Sequence, residues 1–229
     1  MQYSTVTSRP MGLEKSEESQ IYALFAVALA LTNIGIYIGM QYGTSFLTGG
    51  YMIVFLLAEL LLIFTSSLWA KATPLNYLFF ALFPLLSGFT ITPYVMSVLT
   101  GYANGGTILM NAFAATVCMA GASAVFAKST SWNLGVLSKG LFFGLIGLIC
   151  LGLLQIFVPA FQTTQMELII SGFGVVFFAI FTAYDMQRIS HLSRMGANPF
   201  MLALSLYLDI FNMFLYVLRF MLVLYGDRR

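Results

Sequence analysis

The sequence predicts an all-α integral membrane protein, a bundle of seven transmembrane helices with the seventh at its centre. Three observations carry this. Hydrophobic residues make up 60% of the 229 and charged residues only 8%, where a soluble domain carries about a quarter charged. So few charges cannot cover a water-facing surface. The apolar residues fall in continuous runs rather than alternating, which suits helices and excludes a membrane barrel. The runs also have the length of a span, about 20 residues, near 21–42, 50–70, 75–98, 106–127, 137–159, 166–189 and 200–225.

In chain order, residues 1–20 form a polar tail with Glu14, Lys15, Glu17 and Glu18 just before the first apolar run. A signal peptide puts a basic patch there and a small-residue cleavage site after the run, so the first helix is expected to be retained. Residues 21–229 form a single seven-helix domain. Its short loops are punctuated by Pro74, Gly101, Asn104, Gly105, Gly106, Asn198 and Pro199. Lys and Arg collect on alternate loops: Arg9 and Lys15, then Lys71, Lys128 with Lys139, and Arg194 with Arg188 at its edge. Loops 43–49, 99–105 and 160–165 hold none. By the positive-inside rule the N-terminus is cytoplasmic. Arg228 and Arg229 are the exception, falling outside after a seventh crossing. Span 4 reads "AFAATVCMAGASA" and span 5 holds Gly140, Gly144, Gly147 and Gly152. These small residues allow close backbone approach, expected within the bundle. Cys118 and Cys150 read as small core residues, Trp69, Tyr94, Trp132 and Tyr225 as interfacial anchors.

Ionisable residues well inside the spans are Glu59, Asp185, Asp209 and Arg219. Such residues are costly in lipid, usually have partners and usually have a function. In span 7, Ser205, Asp209, Asn212, Tyr216 and Arg219 are spaced 4, 3, 4 and 3 apart, on one helix face. A polar stripe that long belongs inside a bundle. In span 6, Asp185 lies one turn from the loop and Asp209 about two turns in from the same side, so the two can meet if the helix ends are staggered. Two carboxylates in a low-dielectric site cannot both ionise cheaply, and such a pair can share a proton. It also suits a hard cation such as Ca²⁺. A local Asp185–Arg188 ion pair at i,i+3 is the competing reading. His191 reads as a solvated loop side chain.

"TAYDMQRI" followed by "SLYLDIFNMFLYVLRF" resembles the transmembrane Bax inhibitor-1 family in its bacterial form. The match is strongest over 166–225. "AELLLIF" in span 2, "FPLLSGFTITPY" in span 3 and the seven-span plan extend it. The resemblance implies a seven-helix bundle with the last helix central, and a pH-sensitive calcium leak closed near a di-aspartyl sensor. Asp185 and Asp209 match the sensor aspartates, and Glu59 an acidic position facing the pore. Some relatives carry an arginine latch just after span 2. "LWAKATP" offers Lys71 there instead, a point charge without bidentate geometry. Arg188, Asn212 and Arg219 complete the pore or latch candidates, Arg219 pairing with a carbonyl or with Glu59.

The expected function is therefore a calcium or cation leak channel gated by the aspartate pair. A non-conducting regulator that binds a membrane protease or a cell-death factor, and a proton-coupled exchanger, are the alternatives. No nucleophile–base pair, metal cluster or phosphate loop points to an enzyme, no cofactor is implied, and a net charge of +2 implies no nucleic acid. The expected setting is a bacterial inner membrane, with lipid, calcium and protons as partners and a membrane-protein partner under the regulatory reading.

Overall fold

A computed structural model describes residues 17–47 and 51–227. Among them the order is α1 (Glu17–Leu47), α2 (Tyr51–Phe64), α3 (Ser66–Trp69), α4 (Leu75–Gly101), α5 (Gly105–Ser129), α6 (Ser138–Phe157), α7 (Thr164–Leu192) and α8 (Pro199–Tyr225). Short 3₁₀ turns lie at 134–137, 159–161 and 193–195. Arg9, Lys15, Arg228 and Arg229, on which the orientation argument partly rests, lie outside the described residues.

Among the described residues, six helices are long and apolar enough to cross a membrane. The predicted span at 50–70 instead divides into α2 and α3. The 14 residues of α2 rise about 21 Å, short of a hydrocarbon core of about 30 Å. The break falls at Thr65, whose hydroxyl and backbone N–H both bond to the Leu61 carbonyl, at 2.6 and 2.9 Å. Past it, Trp69 turns inward, 4% exposed, and donates its indole N–H to the Leu62 carbonyl at 2.9 Å. Trp69 is thus a core residue and not an interfacial anchor.

Local chemistry fixes the other boundaries that matter. Asn198 caps α8 by accepting from the N–H groups of Phe200 and Met201, and Pro199 opens the helix. Thr163 caps α7 by accepting from Met166 N–H. Gly196, at φ +72, makes the left-handed turn between α7 and α8.

α8 packs against α1, α4, α5 and α7. Leu206, Tyr207, Met213 and Leu218 on it are fully buried. One apolar cluster gathers Ile21, Trp69, Phe83, Ile189 and Phe200 around the first half of α8. A second gathers Ile108, Leu148, Phe177 and Phe178 around its second half. α1 and α4 lie in backbone contact, since a Cβ on Gly35 would meet the Leu85 carbonyl oxygen, and one on Gly88 that of Thr32. Buried Thr32 joins its hydroxyl to that of Tyr207 on α8 at 2.8 Å.

Polar contacts define two ends. At one, Ser190 donates to Glu18 at 3.0 Å, and Asn198 donates to the Ala70 carbonyl at 2.7 Å. The start of α1, the end of α3 and the α7–α8 turn meet there. At the other, Asn104 donates to the Tyr225 carbonyl at 2.6 Å, joining the α4–α5 turn to the end of α8.

The outer surface is apolar, with Val54, Leu57, Leu61, Phe142 and Phe143 well exposed, as a lipid-facing surface requires. Cys118 and Cys150 are exposed on it, not in the core, because lipid accepts a small apolar thiol as readily as a protein interior does. Of the glycines in span 5, Gly144 packs on the Phe177 ring, while a Cβ on Gly140, Gly147 or Gly152 would meet nothing within 4 Å.

Candidate functional site

Two carboxylates are buried side by side, Asp185 on α7 and Asp209 on α8, 1% and 4% exposed. α7 runs to Leu192, three residues beyond its predicted end at 189. Asp185 is then seven residues from the end of its helix and Asp209 ten from the start of its own, about 10 and 15 Å of rise. The longer α7 brings them level more closely than the sequence predicts, and Asp209 and Ser205 are the α8 side chains beside Asp185. Arg188, one turn on from Asp185 and partly exposed, brings Nη1 to 3.4 Å from Asp185 Oδ1. The local pair therefore coexists with the aspartate pair.

The Oδ2 atoms of Asp185 and Asp209 are both buried with no hydrogen-bond partner. Buried polar atoms are nearly always paired. One proton held between the two carboxyls would satisfy both atoms and leave a single negative charge beside Arg188. The pair can also offer two carboxylates to a passing hard cation, fewer oxygens than the six to eight of a resident calcium site. Among the described residues no three His, Cys, Asp or Glu side chains cluster as metal ligands.

The other candidates fall in separate places. Glu59 on α2 accepts from Ser87 Oγ at 3.1 Å and from Thr90 Oγ1 at 2.7 Å, both on α4. It lines a cavity of about 670 Å³ together with Asn212, Tyr216 and Arg219. Asn212 also donates to the Leu208 carbonyl at 2.7 Å, one helical turn from Asp209. Arg219 pairs with Glu167 instead of Glu59, and the carbonyl it reaches is the side-chain amide of Gln155. It makes a two-pronged contact with Glu167, Nε to Oε1 at 2.7 Å and Nη2 to Oε2 at 2.9 Å, and Nη2 also reaches Gln155 Oε1 at 2.9 Å. The stripe on α8 is therefore divided: Ser205 and Asp209 serve the aspartate end, and Asn212, Tyr216 and Arg219 line cavities. Tyr94 lines those cavities too and is not an interfacial anchor. Lys71 is exposed at the aspartate end beside Glu17 and Asn198, and the cation at Asp185 is Arg188. His191 sits exposed in the last turn of α7.

Sequence reading passed over Glu167, Gln155, Ser87 and Thr90. Glu167 had a legible signal. It lies three residues into α7 while Arg219 lies six from the end of α8, so antiparallel helices put the two charges at similar depth. Ser87 and Thr90 had none, because hydroxyls are common in membrane helices.

A sequence profile of the family "Inhibitor of apoptosis-promoting Bax1" matches residues 16–225. An uncharacterised protein of Campylobacter jejuni is 35% identical over 202 residues, covering 87% of this chain and 84% of its own. Mouse protein lifeguard 4 is 28% identical over 226 residues, 95% of this chain and 89% of its own. A Golgi anti-apoptotic protein of vaccinia virus is 28% identical over 223 residues, 94% and 89% respectively.

Proposed function

We propose that this chain, which belongs to the Bax inhibitor-1 family, is a leak pathway for calcium and similar cations, gated by a proton shared between Asp185 and Asp209. The observation that carries the reading is the pair of partnerless Oδ2 atoms. Two buried carboxyls whose Oδ2 atoms lack donors are stable together while one proton bridges them. As pH rises and that proton leaves, two adjacent negative charges repel. Arg188 is the charged side chain acting on both, and a single half-wet guanidinium does not neutralise two charges. The pair then parts, and its oxygens face the path. Flux accordingly rises with pH.

The path runs from the cavity that holds Glu59 and Asn212 past Asp209 to the aspartate end, with Lys71 and Arg188 as the cations beside the mouth. The chain crosses the membrane seven times in this reading, α2 and α3 together forming the second crossing. The alternation of Lys and Arg puts the aspartate end in the cytoplasm. The bacterial relatives favour the cytoplasmic membrane. No enzyme chemistry, resident metal or cofactor enters the proposal.

Calcium entry into dye-loaded liposomes carrying the purified protein, between pH 5 and 8, tests it. Flux that rises with pH supports the pathway. A folded, inserted protein with no flux at any pH sinks it. The name of the vaccinia relative favours a second reading, a membrane regulator of cell survival that conducts nothing. That outcome would select it. Flux strictly coupled to a counter-moving proton would select an exchanger built on the same carboxylates.

A further inference from the structure

Away from the aspartate pair, one face of the bundle carries charge that the fold leaves unpaired. Lys128 lies in the last turn of α5 and Lys139 in the first turn of α6. Both are exposed, and neither belongs to the ion pairs found among the described residues. No Asp or Glu lies between Glu59 and Glu167 in the sequence to answer them. The segment joining the two lysines is nonetheless fixed. Gln187 on α7 accepts from the Leu134 N–H at 2.7 Å and donates to the Trp132 carbonyl at 2.9 Å, and Leu134 is buried beside Ala183. Held by that side, the segment leaves Trp132 and Val136 outward, 74% and 81% exposed. An outward indole at a helix end belongs at the headgroup level of a membrane. At Lys139 a cleft of about 480 Å³ is lined by Ser138, Phe142 and Phe143, the two rings meeting edge to face at 5.7 Å. The cleft thus has an ammonium and a hydroxyl at its lip and two exposed rings further along the helix. A phospholipid carries its phosphate and its chains in that order.

We propose that this face is a docking site for an anionic phospholipid. Lys139 and Ser138 take the phosphate, and an acyl chain lies against Phe142 and Phe143. Lys128 adds attraction from the other end of the segment, and Trp132 sits at the level of the headgroup. A zwitterionic lipid offers the same chains without net charge, so the lysines set the preference. The site does not rest on the leak reading.

Tryptophan quenching by brominated lipid tests it, because bromine quenches an indole only in near contact. The chain has two tryptophans. Trp69 is 4% exposed, and its share of the signal is subtracted with the Trp132→Phe protein. Full-length protein is placed in phosphatidylcholine vesicles in which a tenth of the lipid is either brominated phosphatidylglycerol or brominated phosphatidylcholine. At equal bulk fraction, the anionic lipid should quench Trp132 about threefold more strongly. Lys128→Gln/Lys139→Gln should bring the ratio to about one. Lys71→Gln, an equal loss of charge away from the site, should leave it unchanged. Salt near 1 M, which shortens screening to about 3 Å, should lower the wild-type ratio and needs no variant to fold. A wild-type ratio near one overturns the site, and so does a ratio that survives the loss of both lysines. A ratio that falls as far in Lys71→Gln reduces the effect to general surface charge and also overturns it. Trp132 quenched by neither lipid means that something else, such as a second copy of the chain, covers the face, and overturns it too.

Discussion

Adding one methyl group at Gly88 should wedge α1 from α4. A Cβ there would lie 2.0 Å from the Thr32 carbonyl oxygen and 2.8 Å from its carbon. Ordinary contact begins at 3.4 Å, so the shortfall is about 1.4 Å. The obstacle is backbone, and no rotamer change relieves it; the helices must move apart. Overpacking of this kind costs about 1–3 kcal/mol, and a gap of about 0.5–1 Å along the interface forfeits a quarter to a half of each dispersion contact. Gly88→Ala should therefore destabilise by about 3 kcal/mol. Gly35→Ala meets the Leu85 carbonyl oxygen at 2.1 Å and should cost a similar amount. The double variant is the sharper test. Once one methyl has parted the helices, the second finds room, so the double should fall short of the sum by more than about 1 kcal/mol. Reversible unfolding in mixed micelles measures all three. A single variant within about 0.5 kcal/mol of wild type, or a double equal to the sum, would refute the close-contact reasoning.

Two further predictions concern how α8 is held. Tyr207→Phe removes the buried hydroxyl contact at 2.8 Å but leaves Thr32 bonded to the Ala28 carbonyl, so the loss should be about 1 kcal/mol in the same unfolding assay. Asn198→Ala removes both the α8 cap and the tie to Ala70. A loss of about 2 kcal/mol is expected, with faster proteolysis near residues 193–198 as the local readout.

The helical class, the spans other than the second and the pairing of α7 with α8 were legible because each rests on a local rule: run length, an Asn-Pro start, a short turn. The break within the second span was not legible because its hydropathy continues through Thr65 and Ser66. At the break the Leu62 carbonyl accepts from the Trp69 indole N–H seven residues on, a contact that composition does not register. Trp69 and Tyr94 were read as anchors because aromatic residues near span ends usually are. Only tertiary packing reveals that one fills the core and the other a cavity wall. The two aspartates stood out by their rarity in lipid, whereas the partner of Arg219 did not. Glu167 lies in the first turn of its helix, where an acidic residue also suits the helix dipole, and so it drew no special notice. Ser87 and Thr90 became visible only as the donors that satisfy Glu59.

The shared proton is the centre of the functional account, and one measurement reaches it most directly: calcium flux against pH for wild type, Asp185→Asn and Asp209→Asn in the same liposomes. Each substitution removes one carboxyl and hence the proton-sharing pair while keeping the side-chain volume. The account predicts that wild-type flux rises between pH 5 and 8 and that both variants lose the slope. A variant that keeps the wild-type slope would contradict it, and the pH response would then have to reside elsewhere in the bundle.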